Sequence, residues 1–187
     1  MTLLANGLSA VDHHEDSLHV QEAELSMRRR VGASEGYMLI VQGNLANTYE
    51  ALGQLERTLA LRREVYTKQR VLSPEHPRAL MSALNLANSL IDNEHFAEAR
   101  TLINETLPIA RRICGDAHDT TLGLRFLLPR SIILNLDIST QEDLRGAKEE
   151  LEDLLRTTRR IFGNSHPRVQ LVRDLIGAAN HRLSNDF

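Results

Sequence analysis

Leu72-Ser73-Pro74-Glu75-His76-Pro77, Cys114-Gly115-Asp116-Ala117-His118-Asp119 and Phe162-Gly163-Asn164-Ser165-His166-Pro167 are three near-copies of one junction. A fourth, Val31-Gly32-Ala33-Ser34-Glu35-Gly36, keeps the glycine and a serine but not the histidine. Taking the apolar residue that opens each copy as an anchor, the spacings are 41, 42 and 48 residues. Recurrence at such a period marks a helical solenoid, whose units bury their apolar faces only against their neighbours.

Stepping back from each anchor by four, three and four residues gives Val20/Glu24/Met27/Val31, Leu61/Val65/Lys68/Leu72, Ile103/Leu107/Ala110/Cys114 and Leu151/Leu155/Thr158/Phe162. All but Glu24, Lys68 and Thr158 are apolar, and the spacing lays them on one stripe of an α-helix. Each repeat is therefore expected to end in a long helix with this stripe buried. The junction then stops that helix and starts another. Gly32, Gly115 and Gly163 stand where a left-handed C-terminal cap costs glycine no Cβ clash. Pro77 and Pro167 stand in a first helical turn, where a missing N–H is harmless. The serine, aspartate and asparagine between them are expected to accept the orphan N–H groups of the new helix.

The new helix carries Asn44-Leu45-Ala46-Asn47 and, 41 residues on, Asn85-Leu86-Ala87-Asn88. Leucine supplies the buried contact and alanine the close approach of two helices, so the unit is a helix hairpin. In the third copy Leu127-Leu128-Pro129 replaces the motif, and an interior proline predicts a kink. Extra residues follow around Asn135 to Asp143, and Ser139-Thr140-Gln141-Glu142 reads as a capping box restarting the chain. One more helix, His166 to about Leu183, has no following partner and reads as a cap on the stack. At the other end, Thr2–Val11 and Ser17–Val31 read as an imperfect opening hairpin.

The expected fold is thus all-α: a single α–α superhelix over residues 1–187, of about four helix hairpins plus a C-terminal capping helix. Its divisions are an imperfect hairpin at 1–34, repeats at about 35–75, 76–117 and 118–165, and a capping helix at 166–184. Composition narrows the partners. A net charge of -3 and aromatics at 4% provide neither attraction to phosphate backbones nor platforms for base stacking, so neither nucleic acid nor an anionic membrane is expected. No apolar run nears the roughly 20 residues of a spanning helix. The N-terminus has no basic leader, and Asn6 and Gly7 interrupt its apolar letters, which argues against a signal peptide. A lone cysteine, Cys114, excludes an internal disulfide. The expected location is cytoplasmic.

Asn-Leu-Ala, then Leu-Gly (Leu52-Gly53), then Glu-Ala (Glu98-Ala99), then a long helix ending in Gly-x-x-His-Pro resembles the tetratricopeptide (TPR) repeats of kinesin light chain and of light chain-like repeat proteins. The resemblance covers Glu35 to Leu183 well and the first 34 residues loosely. It implies a TPR-type superhelix whose first helices line a concave groove, and a non-enzymatic scaffold binding a peptide or protein there, with no cofactor. Kinesin light chain also carries an N-terminal coiled coil, and no heptad segment of that kind is present here.

On that resemblance Asn44, Asn47, Asn85 and Asn88 are the candidate groove residues, because an amide both donates to and accepts from an extended backbone. Asparagine is also a mediocre helix former, so folding alone accounts poorly for two such pairs. Arg125, in the third first-helix, is expected to add a charge to that surface. Two other readings compete. His13, His14, Asp16 and His19 form the densest ligand-type cluster and raise a metal-dependent hydrolase or a metal sensor, although a solvated turn accounts for them as well. Helical-repeat RNA binding is the third. His76, His118 and His166 fall in one repeat column and are expected to be structural. Arg29, Arg70, Arg112 and Arg160 each precede an anchor by two residues, where a cation meets the favourable end of a helix dipole.

Overall fold

The computed structural model describes residues 14–137 and 140–185, and every element among them is an α-helix. His13, the expected Thr2–Val11 helix and Ser139 lie outside the described residues. Two compact units divide the chain, Met1–Asn93 and Glu94–Phe187. The first holds α1 (His14–Arg30), α2 (Glu35–Ala51), α3 (Leu55–Leu72) and α4 (Pro77–Asp92). The second holds α5 (Phe96–Cys114), α6 (Asp119–Ile133), α7 (Gln141–Phe162) and α8 (Pro167–Asn185).

Consecutive helices pack against each other within each unit. In the first, Leu25, Val41 and Leu45 form a core with Leu18, Tyr37, Met38, Tyr49 and Leu61 around it. In the second, Leu122, Ile133, Leu144, Leu151, Leu154, Val172 and Ala179 are buried together. Each fully buried leucine or isoleucine contributes about 1.5–3 kcal/mol. The repeated alanines, Ala46 and Ala87, are completely buried.

The junctions are built differently from expectation in two respects. The acceptor for the new helix is the repeated histidine itself. Nδ1 of His76 accepts from the Arg78 N–H at 3.1 Å, that of His118 from Thr120 at 3.2 Å, and that of His166 from Arg168 at 3.1 Å. The side chain reaches two residues forward, as an N-cap does. His166 also stacks on Phe162 with ring centroids 4.6 Å apart. The glycines do take positive φ, but Gly115 (φ 90°, ψ 162°) and Gly163 (φ 82°, ψ 170°) are extended rather than left-handed helical. That region of backbone space is essentially glycine's alone.

Two further expectations change, and the helix bearing Pro129 is placed. The capping box before α7 is one residue later: Thr140 Oγ1 accepts from the Asp143 N–H at 3.1 Å, and Asp143 Oδ2 accepts from the Thr140 N–H at 2.9 Å. Helix α6 runs unbroken from Asp119 to Ile133, with Pro129 close to its C-terminal end. Its last carbonyls are met by the Arg182 guanidinium, which donates to Ile133 O at 2.6 Å and Asn135 O at 3.2 Å. The apolar stripe is not buried to its end, since the anchors Val31 and Leu72 are 67% and 49% exposed. Helices α2 and α4 begin only at Glu35 and Pro77, so the last turns of α1 and α3 reach beyond the helices that would cover them.

Candidate functional site

The 3.6-residue period divides α2 into two faces. Leu39, Val41, Leu45 and Ala46 are buried. Ile40, Asn44 and Asn47, at spacings of four and three, share the opposite side. Helix α4 repeats this arrangement 41 residues later with Met81, Asn85 and Asn88. Ile40 and Met81 are 38% and 52% exposed, Asn47 is exposed, and Asn44, Asn85 and Asn88 are half-buried.

One side chain on α3 ties the two asparagine-bearing helices together. Arg62 is 6% exposed, on the buried face of α3 with Thr58 and Val65. Its guanidinium grips Glu50 of α2 in a bidentate pair, Nη2 to Oε2 at 2.7 Å and Nη1 to Oε1 at 3.2 Å. It also donates to Asn47 Oδ1 at 3.2 Å, to the Asn85 carbonyl at 3.0 Å and to Ser89 Oγ at 2.7 Å. Asn88 Nδ2 donates to Glu50 Oε1 at 3.3 Å and to Asp92 Oδ2 at 2.9 Å. A planar fork with five N–H groups suits this junction, where a lysine ammonium would not span the acceptors.

The four asparagines therefore divide in role. The amides of Asn47 and Asn88 are engaged by Arg62, Glu50 and Asp92. Those of Asn44 and Asn85 make no hydrogen bond among the described residues, and only their backbone carbonyls accept one. Neither Arg62 nor Glu50 stands out in the repeat pattern. The one available signal was a charged residue on the stripe Thr58/Arg62/Val65, where burial requires a partner.

Arg125 lies in the other unit and is 8% exposed. It donates to Asp153 Oδ2 at 2.6 Å and lies 3.6 Å from Glu150, both on α7. The hydrogen bond from Arg125 is the largest influence holding the Asp153 carboxyl below its ordinary range. This guanidinium fastens α6 to α7. His14 is half-buried, and Asp16 and His19 are exposed on α1. Among the described residues no three His, Cys, Asp or Glu side chains are grouped to hold a metal ion. Nor is any described helix long and apolar enough to cross a membrane.

Comparison with known proteins bears on the fold. Residues 37–112 match the tetratricopeptide repeat family. Two crystal structures of the nearly identical TPR-like repeats of a kinesin light chain-type protein from Podosopora anserina superpose with TM-scores of 0.77 and 0.75. Each is 22% identical and covers 98% of this chain, against 84% and 85% of the other. BtubC (BKLC) from P. vanneervenii superposes with a TM-score of 0.63 at 12% identity, covering 100% of this chain and 80% of that one. A search of curated protein sequences finds no match. The fold is that of tetratricopeptide repeats of the kinesin light chain-like type.

Proposed function

We propose that this tetratricopeptide-type chain is a non-enzymatic scaffold that holds an extended peptide or protein segment across the exposed faces of α2 and α4. Asn44 and Asn85 make the contacts to the segment's backbone, and Ile40 and Met81 offer apolar surface beside them. Asn47 and Asn88 border the same surface while fixing its shape through the Arg62 network. The observation that carries the reading is the guanidinium of Arg62. It secures two helices side by side and leaves two half-buried amides, 41 residues apart, with no partner of their own. Both amides keep their donors and acceptors open to solvent, and a peptide backbone supplies both a donor and an acceptor to match them.

The test is selection from a random-peptide display library on the purified chain and on the pair Asn44→Arg with Asn85→Arg. The pair should keep its helicity and urea midpoint, since neither amide supports the fold, and lose affinity for the selected peptides by about tenfold or more. A library yielding no sequence-specific binder, or peptides held equally by the variant, would overturn the assignment.

A further inference from the structure

Helix α2 has a second face. Met38 and Gln42, one turn apart, lie roughly opposite Ile40, Asn44 and Asn47 on the helical wheel, and they floor a cleft of about 350 Å³. Arg28 and Arg29 of α1 form one wall, and Glu64 and Lys68 of α3 the other, with Glu35 at one end. Close along the chain to these lining residues are three exposed aliphatic side chains, the stripe ends Val31 and Leu72 and, next to Leu72, Val71. Val31 lies between Arg29 and Ala33, both of which line the cleft, and is 67% exposed. Val71 and Leu72 lie three and four residues beyond Lys68, on its face of α3, and are 79% and 49% exposed. The folding pattern predicts burial for Val31 and Leu72, and here both are open.

The charges lining this cleft are unevenly committed. Glu64 Oε1 accepts from Lys68 Nζ at 2.7 Å and from Gln42 Nε2 at 3.0 Å, bonds that hold its carboxyl below the usual range. Glu35 sits in the first turn of α2, where the helix dipole answers a negative charge. Arg28 is occupied with Glu24 at 3.7 Å and with the Tyr37 hydroxyl at 3.3 Å, its guanidinium lying 4.6 Å over the Tyr37 ring. Arg29 has no hydrogen bond or ion pair among the described residues, although its charge reaches Glu64 through space. Lys68 has donors to spare, because an ammonium carries three. Both carboxylates are thus answered from within, and the unanswered groups are a guanidinium, part of an ammonium and three aliphatic side chains.

We propose that this cleft is a second docking site, on the side of α2 away from the asparagines, for an acidic peptide segment bearing aliphatic side chains. A carboxylate of the segment meets Arg29 and Lys68, and its aliphatic residues cover Val31, Val71 and Leu72. A bare phosphate backbone would leave those aliphatics in water, and the chain's charge of -3 works against a polyanion. The proposal does not depend on the asparagine face being a peptide site.

Two methionine methyls separate the surfaces, since Met38 floors the cleft and Met81 lies on the asparagine face. Chain labelled with ¹³C at the methionine methyls is titrated with a synthetic Glu-Leu-Asp-Leu-Glu peptide, with its lysine-for-acid counterpart, and with phosphatidylserine vesicles. The acidic peptide is expected to shift Met38 and leave Met81 in place, with binding weakening as salt is raised. Arg29→Glu, at an exposed position, should weaken it about tenfold or more, and Leu72→Ser should weaken it several-fold with the urea midpoint unchanged. The proposal is overturned by movement of Met81 in place of Met38, by equal binding of the lysine peptide, by an Arg29→Glu variant that binds as before, or by vesicle binding with no response to the peptide.

Discussion

Replacing Arg62 with methionine tests whether one buried cation holds the asparagine-bearing helices in register. Methionine fills much of the aliphatic stem's space but removes every donor. Five hydrogen-bond contacts made by four N–H groups disappear, two of them to Glu50 and the others to Asn47, the Asn85 carbonyl and Ser89. The losses are not additive. Glu50 has a side chain 34% exposed, so its carboxylate rehydrates and its share is discounted for solvent screening. Ser89 is 2% exposed and cannot rehydrate, and an orphaned buried polar group costs about 1–3 kcal/mol. Against this, the variant removes the desolvation cost of the guanidinium and its Nε, which is buried without a partner. The balance is a loss of about 2–4 kcal/mol, toward the lower side of what breaking a buried pair costs. Urea unfolding followed by circular dichroism measures it. Arg62→Lys should recover part of the loss, because an ammonium keeps the charge but not the fork. In a double-mutant cycle Glu50→Gln should couple to Arg62→Met by about 1–2 kcal/mol. An Arg62→Met chain as stable as the parent, or more stable, would refute the reasoning. It would mean that apolar packing replaces the network without cost.

Three other outcomes follow from the turns and the carboxylates. His118→Ala should cost about 1 kcal/mol while His118→Asp retains the cap, read as urea midpoints; equal loss in both would contradict the Nδ1 capping role. Glu94 holds φ at +64°, the position that Gly53 (φ 70°) fills 41 residues earlier, so Glu94→Gly should stabilise by up to about 1 kcal/mol, and a destabilised variant would count against strain at that turn. Glu64 and Asp153 have carboxyls lowered from ordinary values of 4.5 and 3.8, the first chiefly by Lys68 and the second chiefly by Arg125. The unfolded chain therefore binds their protons first as pH falls. Their stabilisation is complete above those ordinary values and is lost progressively below them. The urea midpoint should drop from about pH 4.5 downward, and Glu64→Gln should flatten the Glu64 share; a midpoint as pH-dependent in the variant as in the parent would exclude that ion pair as a source.

Period and punctuation were legible because they are local chemistry. An apolar stripe at helical spacing, a glycine where φ turns positive and a proline in a first turn each act within a few residues, so the chain alone dictates helices of these lengths joined by these junctions. The amide pairs were legible too, since Asn44 and Asn85 recur at the repeat period on helix faces whose spacing is fixed by 3.6 residues per turn. Which atoms complete each device was not legible. The histidine Nδ1 atoms displaced the expected serine, aspartate and asparagine as caps, and the box before α7 closed on Asp143 in place of Glu142, because cap choice depends on backbone angles that the letters constrain only to within a residue. Arg62 became a hub only when folding brought Glu50, Asn47, Asn85 and Ser89 to one guanidinium from two other helices. The same assembly left Val31 and Leu72 open, since coverage at a helix end depends on where the neighbouring helix begins. The sequence determined the helices and the faces they carry, because those rest on contacts a few residues apart. The tertiary structure decided which polar groups on those faces are consumed within the protein and which keep hydrogen-bonding capacity unused by it, because desolvation and pairing depend on residues far apart in the chain.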